Sequence, residues 1–145
     1  MRDYDSEIKI IEIVNTRITS LHPKDSIQKA QLLFDRMEKN IIPVLVGNEF
    51  RGVLIRQDFK ALEKANKFIV KVKQQMVDVS QMTVEDFYKH DVRVLDVNAK
   101  LFDALEFFIA NRQYYIPILK DNAFIGLVTP FDVFKYLVKL ENDKM

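Results

Sequence analysis

The chain repeats itself at an offset of 74 residues. Pro117 and Pro43, Gly126 and Gly52, and Asp132 and Asp58 all stand 74 apart, and no gap is needed to align them. In the same register Leu21 meets Leu95, Ala30 meets Ala104, Phe34 meets Phe108, Ile42 meets Ile116 and Phe50 meets Phe124. Where identity lapses, residue type is kept, as at Ile18 and Val92, Ile27 and Leu101, or Val53 and Leu127. A repeat settles the architecture before any local propensity does, because both copies must share one plan.

Each copy reads as strand, helix, strand, strand, helix. Short apolar entries at 18–21 and 92–95 lead into polar turns holding Pro23 or Asn98. Ile27, Ala30, Phe34 and Met37 then recur at helical spacing, with Asp25 as the expected cap, and Leu101, Ala104 and Phe108 repeat the stripe. Hairpins follow: Ile42-Pro43-Val44 turns at Gly47-Asn48, and Ile116-Pro117-Ile118 turns at Asp121-Asn122. Each proline lacks a ladder donor and is expected at an edge or a strand start. A closing helix begins near Arg56 and at Pro130.

A unit of roughly 60 residues buries only about 60% of its unfolded surface and is marginal alone. The expectation is therefore a mixed α+β fold of two β-α-β-β-α repeats, packed sheet to sheet in pseudo-two-fold fashion with a cleft between them. Residues 1–67 form repeat one with its N-terminal segment, 68–82 a linker, and 83–145 repeat two. The first half of the linker reads as a helix tail, because Phe59, Leu62, Ala65, Ile69, Val72 and Met76 keep one face. Lys60, Lys64, Lys67 and Lys71 then line a solvated face.

The heptapeptide from Gly126 to Asp132 is the chemically richest stretch. Thr129 is a favoured N-cap, Pro130 suits the first helical position, and Asp132 falls at the reciprocal place of a capping box. A helix beginning directly at a strand end presents bare N–H groups and a positive dipole end, which suit an anion such as phosphate.

These repeated segments, Ile116-Pro117-Ile118 with Gly126-Leu127-Val128-Thr129-Pro130-Phe131-Asp132 and Ile42-Pro43-Val44 with Gly52-Val53-Leu54-Ile55-Arg56-Gln57-Asp58, resemble a tandem pair of cystathionine-β-synthase (CBS) domains, a Bateman module. The resemblance runs from about Ile10 to Leu140. It implies a non-catalytic sensor that binds an adenosine-containing ligand (AMP, ADP, ATP, S-adenosylmethionine or a cyclic dinucleotide) in the cleft. On that resemblance Thr129 would bond ribose or phosphate, and Asp132 would accept from ribose hydroxyls. The strand start Tyr115-Ile116-Pro117 would face the base, with Val92 and Arg93 over its other side. In copy one Ile55 replaces the hydroxyl, so Asp58 and Arg56 are left to a degenerate or vacant site.

Composition narrows the alternatives. A net charge of +1 argues against a general nucleic-acid binder. There is no cysteine, which removes thiolate metal sites and cysteine nucleophiles and fits a reducing, cytoplasmic setting. No apolar run approaches the ~18–20 residues that span a bilayer. His22 and His90 form no helical ligand pair, and three glycines cannot make a phosphate-binding loop. Neither the serines nor the adjacent Glu85-Asp86 pair stands in a catalytic pattern.

One difference between the copies points to an interface. Phe102, Leu105 and Ile109 make a second apolar stripe where copy one has Gln28, Gln31 and Asp35. A homodimer through the repeat-two helices, with Val133, Phe134 and Leu137 contributing, is the expectation. The alternative function is a dimerisation or protein-interaction module with vestigial pockets.

Overall fold

A computed structural model describes the backbone of residues 8–37, 39–65, 69–72, 75–78 and 81–144, and side chains outside 61–80. The fold is mixed α/β, with four α-helices among the described residues: α1 (Ile27–Met37), α2 (Arg56–Ala65), α3 (Leu101–Ala110) and α4 (Pro130–Asp143). The strands are β1 (Ile41–Val46), β2 (Glu49–Ile55), β3 (Ile69–Val72), β4 (Gln75–Asp78), β5 (Leu95–Asp96), β6 (Ile116–Lys120) and β7 (Ala123–Val128). They divide between two compact units. A copy-one unit spans Thr19–Val92, and a copy-two unit joins Met1–Ile18 to Arg93–Met145.

In the copy-one unit, β1 and β2 form an antiparallel hairpin, and Leu21 bridges Val44 in parallel on the other side of β1. The Pro43 carbonyl accepts from Leu21 N at 2.9 Å, and Leu45 N donates back to the Leu21 carbonyl at 2.8 Å. That parallel ladder begins at Pro43, so the missing proline donor leaves no bond unmade. The core gathers Leu21, Ile27, Ala30, Phe34, Ile42, Val44, Leu54 and Phe59. Phe34 and Phe59 meet with ring centroids 5.5 Å apart. Asp25, expected as the cap of α1, instead accepts from His22 N and pairs with Lys29. Ser26 caps the helix, its hydroxyl accepting from Lys29 N at 3.1 Å.

The copy-two unit repeats this plan. β5 runs parallel to β6 and β6 antiparallel to β7, with Leu95 opposite Ile118. The ladder slips at Ile118/Leu119, and the copy-one ladder slips at Val44/Leu45, the same point of the repeat. Asp121 and Asn122 both adopt positive φ, 51° and 69°, as a two-residue hairpin turn of the primed type demands. The core gathers Leu101, Ala104, Phe107, Ile116, Ile118, Val128 and Val133.

Each core is completed by a segment that precedes the other repeat. Ile8, Ile10 and Ile13, around a 3₁₀ turn, pack into the copy-two core, and Asn15 bridges Leu127 through two backbone bonds of 2.9 and 3.1 Å. Val84 and Tyr88 do the same in copy one, where Lys89 bridges Val53 with bonds of 2.7 and 3.1 Å. Both glycines of the repeat lie under these crossings. A Cβ on Gly126 would come 2.3 Å from the Asn15 carbonyl oxygen, and one on Gly52 would meet the Lys89 carbonyl oxygen.

The expected helix tail is not found. α2 ends at Ala65, and β3 and β4 pair as an antiparallel hairpin with Ile69 opposite Asp78. Val70, Val72 and Val77 supply the reason: β-branched side chains lose rotamer freedom in a helix and suit a strand. Lys67 lies outside the described residues.

Candidate functional site

The β7–α4 junction of the copy-two unit carries the expected capping box in full. Asp132 N donates to the Thr129 hydroxyl at 3.3 Å, while Thr129 N and its hydroxyl donate to Asp132 Oδ2 at 2.9 and 3.0 Å. Pro130 has no N–H, and Val133 N returns to the Thr129 carbonyl at 3.2 Å. The first turn of α4 thus retains the Phe131 N–H as a donor without a partner among the described residues. Asp132 Oδ1 likewise has no partner among them. The junction therefore offers a half-buried carboxylate oxygen for hydroxyl donors, and one amide for an anion. That is better suited to a diol than to a phosphate held by several amides.

The sheet brings the strand start alongside. Ile116 pairs with Val128, so Tyr115 stands one step beyond, level with Thr129. Tyr115 is buried at 6% exposure, and Ile116 is wholly enclosed in the copy-two core. Ile116 therefore has its side chain in the copy-two core and offers the site only backbone, while Pro117, also buried, faces the other side of the sheet. Arg93 is exposed, and its backbone is fastened to this strand start by Gln113. Sequence reasoning missed Gln113, because a side chain that serves only main-chain groups leaves no motif. Val92, half-buried, belongs to the copy-one unit, where its N–H donates to the His90 carbonyl at 3.0 Å.

The matching junction of copy one is arranged differently. Ile55 ends β2 and offers no hydroxyl to cap α2. Arg56 turns to the C-terminal end of α1, donating from Nη1 to the Phe34 carbonyl at 3.2 Å and lying 3.9 Å from Asp35. A cation there answers the orphan carbonyls and negative dipole end of that helix. Asp58 is exposed in the first turn of α2.

Two further observations bound the chemistry. Among the described residues no group of three or more His, Asp or Glu side chains could hold a metal. Burial, with Glu12 and Asp143 adding to it, pushes the Tyr136 phenol above its ordinary range, but Tyr136 packs against the copy-two core.

The helical stripe behaves unevenly. Ile109 is 87% exposed and Phe102 40%, while Leu105 packs partly against the core. Val133 and Leu137, expected at the interface, belong to the core instead, and Phe131, Phe134 and Val138 are the exposed apolar residues of α4. The phase of the helix explains the exchange: Val133 and Leu137 lie four apart on the inward stripe, with Phe134 and Val138 one residue on.

Residues 84–139 match the model of the CBS domain. No curated protein is significantly similar to the chain. Among solved structures, the CBS-pair protein CBSX2 from Arabidopsis thaliana superposes with a TM-score of 0.77 at 17% identity, covering 93% of this chain and 97% of that one. A complex of CBSX2 with AMP gives 0.76 at 20% identity, covering 92% and 98%. A CBS domain-containing protein of unknown function from Bacillus anthracis gives 0.75 at 20% identity, covering 94% and 97%. The match makes residues 84–139 a CBS domain, and the chain as a whole, with its 74-residue repeat and doubled hairpin–helix plan, shares the fold of these CBS-pair structures.

Proposed function

We propose that this CBS pair is a non-catalytic regulatory module whose copy-two junction binds an adenosine-containing nucleotide. The observation that carries the reading is the Thr129–Asp132 capping box. It fixes a carboxylate beside the strand start at Tyr115 and leaves Asp132 Oδ1 without a partner among the described residues. A carboxylate accepts well from a ribose diol, and the neighbour of the same fold solved with AMP is consistent with that ligand class. Arg56 is engaged with α1 and Ile55 cannot cap, so the copy-one junction is the degenerate partner.

The test is a thermal-shift screen of AMP, ADP, ATP, S-adenosylmethionine and cyclic dinucleotides. A ligand at a hundred times its Kd adds about 2.7 kcal/mol, which raises the melting temperature by roughly 8 °C in a chain of this size. No shift with any of them would refute the reading. A cytoplasmic setting agrees with the lack of cysteine, and no described helix is long and apolar enough to cross a membrane.

A second reading, assembly through the copy-two helices, is favoured by the exposure of Ile109, Phe131, Phe134 and Val138. The matching copy-one positions are Asp35, Gln57, Lys60 and Lys64. We expect a homodimer, seen by sedimentation as twice the 17.1 kDa chain mass. Ile109→Glu combined with Phe134→Glu should leave a folded monomer, and an unaltered mass would remove this face from the interface.

A further inference from the structure

We propose that Gln113 is a positioning residue that sets the width of the nucleotide base slot, an inference that rests on the copy-two binding site proposed above. Its side-chain amide spends both N–H groups on main-chain carbonyls, Arg93 O and Tyr115 O, each at 2.8 Å. Its carbonyl oxygen accepts from Arg93 N at 3.2 Å. The donor and acceptor of Arg93 are thus both engaged by one side chain, as a neighbouring strand would engage them. The third bond ties that pair to the first residue before β6. Only one orientation of the amide satisfies this set, because the flipped one would set NH₂ against the Arg93 N–H. Gln113 is therefore a rigid spacer between the two backbone segments that would flank a bound base, Arg93 on one side and Tyr115 on the other.

The repeat supplies an internal control. At the matching position copy one has Lys39, with Thr19 and Ile41 in place of Arg93 and Tyr115. An ammonium has donors but no acceptor, so it cannot reproduce the two-way bond to a main-chain residue. The clamp occurs in the copy whose junction also keeps the Thr129–Asp132 pair, and both are missing from the copy where Ile55 stands. A spacer of this kind improves affinity by removing the ordering cost that a loose slot would charge to the ligand.

The experiment compares wild type with Gln113→Lys, which installs the copy-one residue, and Gln113→Glu, which keeps the shape but loses both donors. AMP binding is measured by calorimetry, and binding of ribose 5-phosphate, which has no base, by NMR titration at millimolar concentration. The expected result is an AMP Kd raised about tenfold or more, with the ribose 5-phosphate Kd unchanged within about twofold. Equal weakening of both ligands would mean that Gln113 acts through general stability, and no change in either would mean that it does not shape the slot; each overturns the inference. The isosteric Gln113→Glu keeps the test available if Gln113→Lys fails to fold. A wild type that binds neither AMP nor any other nucleotide of the screen refutes the function proposed above and this inference with it, whereas a wild type that binds AMP alongside indifferent variants refutes this inference alone.

Discussion

Gly126→Ala is expected to cost about 3 kcal/mol and to lower the melting temperature by roughly 10 °C. The added methyl would stand 2.3 Å from the Asn15 carbonyl oxygen and 2.8 Å from a Val14 methyl. A carbonyl of the main chain cannot swing aside like the end of a flexible side chain. The segment must lift, and it takes with it the two bonds between Asn15 and Leu127. Ile10 and Ile13, buried in the same core, are then drawn partly into water. Gly52→Ala should behave alike, through Lys89 and Tyr88. Gly47→Ala is the contrast: nothing lies within 4 Å of its Cβ, and its φ of +60° limits the loss to about 1 kcal/mol. Denaturation midpoints that rank Gly47→Ala as the most damaging of the three would contradict the crossing geometry.

Asp132→Ala is expected to reduce adenine-nucleotide affinity at least about 100-fold, because hydrogen bonds to a charged group are each worth about 1.5–3 kcal/mol and a diol makes two. The same substitution removes the acceptor for Thr129 N and its hydroxyl, for a further stability loss of about 1 kcal/mol. Asp132→Asn separates the two roles. Its amide oxygen can still accept the Thr129 N–H, so stability should be nearly retained, but with one acceptor in place of two and no charge the affinity should still fall. Calorimetry on both variants, beside their unliganded melting curves, checks the division. Full affinity in Asp132→Ala would move the ribose site elsewhere.

Much of this was legible in the sequence because the repeat doubles every signal. Pro43 and Pro117 mark strand starts, Gly52 and Gly126 mark close approaches, and Thr129-Pro130 marks a helix start. Besides Gln113 and the Ser26 cap, further features escaped for physical reasons. The apolar face from Phe59 to Met76 continues a helical period past Ala65, but valines at 70, 72 and 77 favour a strand pair over the same residues. The segments at 8–15 and 82–89 are single turns, too short for any period to show, although the offset of 74 does align Ile10 with Val84 and Glu12 with Asp86. Arg56 has the charge a phosphate would want, yet a helix end closer in space holds it.

The exchange of those two short segments makes the halves of this duplication unequal as pieces of polypeptide. Thr19–Val92 is one uninterrupted stretch that carries its own closing segment, so expressing it by itself keeps every member of its hydrophobic core cluster. The other half is discontinuous: a protein cut to begin at Arg93 would lose Ile8, Ile10 and Ile13 from its centre. It could be isolated only as a splice in which Ile18 is joined directly to Arg93. A gene fragment drawn along the apparent boundary of the second copy would therefore yield a half with an open seam.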